Sequence, residues 1–220
     1  MIQQTTFQFL RDIAKNNNRE WFQENKERYE LARQNVLDFT SEVLEGLSKI
    51  DPLISEDLQA KQCVLRIYRD IRFSKDKTPY KTNFGIGISP TAKNFQGPGY
   101  YLHLEPDQSF VTGGCWMPGS DLLKSIRQEI DYNSSDFYAI LDDPDFKSLI
   151  GELDVEHKLK TAPKGYPAEH PDIEYLKLKS FTASSHLTEK QLVGKDSIHA
   201  VLVRLEALYP FMEFLRNALA

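Results

Sequence analysis

Between Cys63 and Cys115 the apolar residues of this chain recur at every second position, whereas on either side they recur at every third or fourth. A strand turns successive side chains to opposite faces and a helix repeats every 3.6 residues, so the change of period fixes which parts form sheet. The strands are grouped in the middle and the helices flank them, which predicts an α+β fold rather than an alternating α/β one. Connections between the strands are too short for parallel crossovers, so the sheet is expected to be mostly antiparallel. With 220 residues and no linker, repeat or low-complexity tract, the chain reads as a single domain spanning residues 1–220.

The N-terminal third carries the helical period. In "TTFQFLRDIAKN", Phe7, Leu10, Ile13 and Ala14 share a face. Asn17 with Glu20 three residues later has the form of a capping box. From there Phe22, Tyr29, Ala32, Val36, Phe39, Val43, Leu47 and Ile50 predict one long helix that Pro52 prevents from continuing. After Pro118 the period returns, with Ser120 and Asn133 as candidate caps. A final helix carries Ile198, Val201, Leu202, Leu205 and Leu208, and Pro210 is expected to break it.

The middle supplies the strands. In "CVLRIYRDIRF" the alternation assigns Leu65, Ile67, Ile71 and Phe73 to one side and Arg66, Tyr68, Asp70 and Arg72 to the other. "NFGIGIS" is a second strand, and "GYYLHLEPDQSFVTGGCW" a hairpin around "EPDQS". There Tyr100, Leu102 and Leu104 share one face and Tyr101, His103 and Glu105 the other, with a bulge or bend expected at the Gly-Gly before Cys115. "KSFTASSHL" is a further strand candidate.

Charge is distributed unevenly. The net charge is −5, yet residues 61–81 hold seven Lys and Arg against Asp70 and Asp76, so this stretch is +5 and the remainder −10. That pattern argues against a general nucleic-acid binder and for a local anion site on an acidic body. No apolar run approaches the roughly 18 residues of a spanning helix, so no membrane partner is expected. Two cysteines at no metal-binding spacing, and a start without a signal-peptide pattern, predict a soluble, reduced, cytoplasmic protein.

The stretches "RIYRDIRFSKDKTPYKT", "GYYLHLEP", "GGCWMP", "LKSIRQEI" and "PKGYPAEHPDIEYLKLKS" together resemble an uncharacterised family of bacterial and fungal proteins, a domain of unknown function. The likeness runs through nearly the whole chain. It implies a single soluble domain and carries no assigned activity, cofactor or catalytic residue.

The candidate site is therefore built from residue chemistry. Arg66, Arg72, Lys75, Lys77 and Lys81, with the hydroxyls of Tyr68 and Tyr80, suit a phosphate or carboxylate ligand. Asp70, His103 and Glu105 are the candidates for proton transfer, His103 and Glu105 being two apart on one strand face. Against this stands a structural network in which the cations pair with acids of the chain. Arg69 falls on the apolar side of the alternation and needs either a carboxylate partner or a bulge. Two ligands are not a metal site, and a third from Asp70, His170 or His186 has no sequence support. Cys115 beside two glycines has no visible base, and "GIGIS" lacks the ending of a phosphate loop. Two functions compete: a small-anion site, catalytic or not, and a non-enzymatic module whose basic strand and turn meet an acidic protein or a nucleic-acid backbone. No cofactor is implied.

Overall fold

A computed structural model of the protein describes residues 1–90 and 97–219. The chain opens with helices α1 (Gln4–Lys15), α2 (Arg19–Glu24), α3 (Lys26–Ile50) and α4 (Ala60–Cys63). Strands β1 (Phe84–Ile88), β2 (Gly99–Leu104) and β3 (Phe110–Cys115) follow. Helices α5 (Ser120–Tyr132), α6 (Ser134–Asp142), α7 (Pro144–Leu149) and α8 (Ile173–Leu176) lead to strand β4 (Phe181–His186). Helices α9 (Glu189–Val193) and α10 (Ser197–Asn217) close the chain. The four strands form one antiparallel sheet in the order β1-β2-β3-β4, so the expected α+β arrangement holds.

The contacts divide the chain into two compact units, each assembled from separate pieces. The first comprises residues 1–88, 101–111 and 186–202, the second residues 89–100, 112–185 and 203–220. In the first unit, Phe7, Phe9, Leu10 and Ile13 of α1 are buried, and Arg28 of α3 reaches back to Asp12 at 2.6 Å. An aromatic cluster joins the helices to the sheet: Phe22 stacks on Tyr80 at 4.1 Å and lies 5.1 Å from Tyr29, which in turn lies 6.3 Å from Phe84. In the second unit Phe137, Phe146, Phe181 and Phe211 are fully buried, and α10 lies so close to β3 that a Cβ on Gly113 would sit 3.2–3.4 Å from Met212 and Leu208.

Several expectations change. The long helix expected after the Asn17 cap, ending near Ile50, is interrupted at Asn25, whose φ of −107° and ψ of 19° leave the helical region while its amide donates to the Trp21 carbonyl. The period survives because a one-residue break barely rotates the apolar stripe. The cap of α2 is Asn18, which accepts from the Trp21 N–H, not Asn17. Pro210 does not end α10: the helix runs through it, with Pro210 and Glu206 one turn earlier both exposed.

The largest correction concerns residues 64–73. They form no regular strand, only antiparallel bridges between Val64 and Ile86 and between Tyr68 and Tyr80 along the outer side of β1. Three residues lie between 64 and 68 but five between 80 and 86, so the partner segment bulges at residues 82–83 and the alternation breaks. Ile67 is buried, but Leu65 and Phe73, expected beside it, are exposed. Around the second bridge the bonds run from Lys81 N to Ile67 O and from Arg69 N to Pro79 O. The N–H and C=O of Tyr80 therefore point away from residue 68. The side-chain amide of Asn17 takes both, accepting from Tyr80 N at 3.0 Å and donating to Tyr80 O at 2.9 Å. A single asparagine side chain thus stands where another strand would.

The Gly-Gly before Cys115, where a bulge or bend is expected, lies inside β3, and what it provides is a close approach to β4. Gly114 has a φ of +136°, and a Cβ there would lie 2.1 Å from the Phe181 carbonyl oxygen.

Candidate functional site

The alternation of β2 is clean, with Tyr100, Leu102 and Leu104 buried and Tyr101, His103 and Glu105 half-buried on the other face. On that face the polar groups connect. His103 Nε2 lies 2.9 Å from Glu105 Oε2, and Glu105 Oε1 accepts from Thr82 Oγ1 at 2.6 Å. His103 Nδ1 lies 3.2 Å from the Tyr101 hydroxyl and 3.3 Å from Asn83 Nδ2. A carboxylate only accepts, so Nε2 carries the proton and Nδ1 is the acceptor for the phenol and the amide. Phe110 of β3 fixes the ring from the side, stacked on His103 at 4.8 Å with planes 10° apart. The result is a carboxylate–imidazole–phenol chain built by one hairpin and the residues that lead into β1.

Glycine makes room for it. A Cβ on Gly85 would meet the Tyr101 hydroxyl at 2.6 Å and Leu65 Cδ1 at 3.2 Å, so both side chains lie across the bare backbone of β1. Gly87, next on the same face, has no described residue within 4 Å of where its Cβ would be. Burial pushes the Tyr101 phenol above its ordinary value, with the Asn83 amide acting against that. The group stays protonated and is a donor, not a nucleophile.

The cations divide into two sets. Lys81, one residue before Thr82, is half-buried; burial and then the Arg66 charge hold its ammonium below the usual range. Arg66 is exposed, and neither it nor Lys81 forms an ion pair among the described residues. The remaining cations belong to an exposed loop with pairings of its own. Arg72 is bonded to Asp70, with Nε to Oδ1 at 3.0 Å and Nη2 to Oδ2 at 2.6 Å. Asp70 is thus engaged with Arg72 and not with His103 or Glu105. Arg69 finds the carboxylate partner its position demands in Asp76 at 2.5 Å, and also donates to the Thr78 carbonyl and hydroxyl. Lys77 Nζ donates to the Ile71 carbonyl at 2.8 Å, and Lys75 is exposed. Tyr80 is core, 3% exposed and stacked on Phe22, while Tyr68 is half exposed with its ring against the same pair. Thr82, Asn83 and Phe110 complete the hydrogen-bonded face and escaped sequence reasoning. Only their positions flanking the "HLE" strand could have signalled them.

Other candidates are closed. His170 Nε2 donates to Asp131 at 2.9 Å while Nδ1 accepts the Asp172 N–H at 3.1 Å, so no lone pair remains for chemistry. Burial pushes the Cys115 thiol up to about 11, which leaves little thiolate at neutral pH. Among the described residues no group of three or more His, Cys, Asp and Glu is placed to hold a metal ion. Among the same residues no helix is long and apolar enough to cross a membrane.

A family model described as "Conserved hypothetical protein (DUF2461)" matches residues 5–214. The chain belongs to that family. The family's description assigns no chemistry, so the residues of the sheet face stand on their own geometry. No curated protein and no solved structure matches.

Proposed function

We propose that the polar face of β2, with Asn83 and Thr82 beside it, binds a small anionic molecule bearing a phosphate or carboxylate, and that His103 moves a proton there. The observation that carries this reading is the chain Thr82–Glu105–His103–Tyr101, in which both ring nitrogens of His103 have assigned roles. Glu105 holds the Nε2 proton and orients the ring, and Nδ1 is the base for the Tyr101 hydroxyl. As the Tyr101 proton passes to Nδ1, the phenol oxygen takes a proton from the ligand, and the imidazolium, paired with Glu105, gives its proton back when the ligand leaves. A half-buried lysine with no carboxylate partner among the described residues supplies the counter-charge: an anion would relieve both the burial of Lys81 and its repulsion by Arg66. The bare backbone at Gly87 leaves space on the same face.

Thermal unfolding at low salt in the presence of phosphate, sugar phosphates, nucleotides and dicarboxylates tests the reading. A ligand at about 100 times its Kd stabilises by about 2.7 kcal/mol, a rise of roughly 5 °C or more for a chain of this size. Lys81→Ala is expected to abolish the shift. His103→Asn is expected to keep most of it while removing any turnover of the ligand that binds. If no small anion shifts the transition, or if Lys81→Ala shifts as the wild type does, the reading fails.

A further inference from the structure

The exposed loop between residues 66 and 78 spends its acids internally. Asp70 is bonded to Arg72, and Asp76 holds Arg69 while accepting the Thr78 N–H at 2.9 Å. Five cations against two acids remain over residues 66–77, and Arg66, Arg72, Lys75 and Lys77 are all exposed. At the tip stands Phe73, 97% exposed, with the Arg72 guanidinium 5.9 Å from its ring centroid. Tyr68 lies at the base of the same loop, half exposed, with its inner side fixed against Phe22 and Tyr80. A lone exposed phenylalanine signifies nothing. An exposed ring inside a belt of exposed cations, on a loop stiffened by its own ion pairs, is a stacking platform with counter-charges around it.

We infer that this loop binds single-stranded nucleic acid, with a base stacked on Phe73 and neighbouring phosphates on Arg66, Arg72, Lys75 and Lys77. Charge limits the partner to something of small footprint. The chain outside residues 61–81 carries −10, so an extended anionic surface such as a duplex or a bilayer is repelled by the body that the loop belongs to. A single strand needs to touch the loop alone. An acidic peptide would use the cations but has no use for the ring. Single-strand binding combines the two, because every base has a face to stack and a phosphate beside it.

Fluorescence anisotropy with short labelled oligouridylate and oligodeoxythymidylate decides the matter. With four phosphate contacts the log–log salt slope is about −2.8, so affinity falls roughly 50-fold between about 50 and about 200 mM salt. Phe73→Ala, which cannot disturb a core it does not enter, is expected to weaken binding about tenfold at an unchanged slope. The double variant Lys75→Ala, Lys77→Ala is expected to reduce the slope by about 1.4. The thermal shift given by a small anion should survive in Phe73→Ala, since the ring is no part of the sheet-face site. Absence of oligonucleotide binding at low salt overturns the inference. So does wild-type affinity in Phe73→Ala, and so does retention by phosphatidylserine vesicles or poly-glutamate where oligonucleotides are not retained.

Discussion

His103 is held in one tautomer by groups that differ in kind: an acceptor-only carboxylate on Nε2, and a phenol and an amide on Nδ1. The imidazole nitrogen spectrum at neutral pH is therefore expected to show the Nε2–H form, and a dominant Nδ1–H form would reverse the direction of the proposed proton path. Two surface carboxylates make a second, independent claim. Asp76 is held down to about 2, first by the Thr78 backbone N–H and then by Arg69 and the Thr78 hydroxyl. Glu174 is held to about 2 by hydrogen bonds from Lys158 and then Lys177. Both lie below their ordinary values of 3.8 and 4.5, so the stability they confer is present above those values and is lost as pH falls toward 2. The melting temperature should drop across that window, and Asp76→Asn with Glu174→Gln should flatten the drop. Both groups are exposed, so molar salt should shrink the difference.

Elements were readable wherever one face is buried and the other is not. The β2–β3 hairpin follows its alternation without exception from Tyr100 to Leu104, and so His103 and Glu105 were found together. Residues 64–73 alternate as well, but two extra residues in the facing segment cancel the register, and the letters of a strand cannot report a bulge in its neighbour. That is why Asp70 and Arg72, aligned with the site on paper, form a pair of their own on the loop. The break at Asn25 and the continuity through Pro210 were hidden for the opposite reason: the apolar stripe passes through both. Gly114 is the position on which the join of β3 to β4 depends. Gly114→Ala combines a left-handed φ with a methyl against the Phe181 carbonyl, and is expected to cost well over about 1 kcal/mol in urea unfolding. Gly87→Ala, facing open space, should cost far less; equal losses would refute the steric account.

Neither compact unit can be cut out by a single cleavage, because β2, β3, β4 and α10 each contribute residues to both. Helix α10 brings Leu202 against Gly46 in one unit and Leu208 and Met212 against Gly113 in the other. A chain ending at residue 196 should therefore lose its cooperative transition altogether. The two tryptophans allow a finer test, since Trp21 belongs to the first unit and Trp116 to the second. Trp116→Phe and Trp21→Phe variants are expected to report coincident urea midpoints, as the single-domain reading of the sequence requires; separate midpoints would make the units separate domains. The pairing of Asn17 with Tyr80 reaches further still. Sheets polymerise by lending unpaired N–H and C=O groups to a neighbouring molecule, and here one amide occupies both groups at Tyr80. Asn17→Ala would leave the N–H and C=O of Tyr80 without that partner and offer the docking point to a second chain. The variant would then acquire a place from which to seed fibrils.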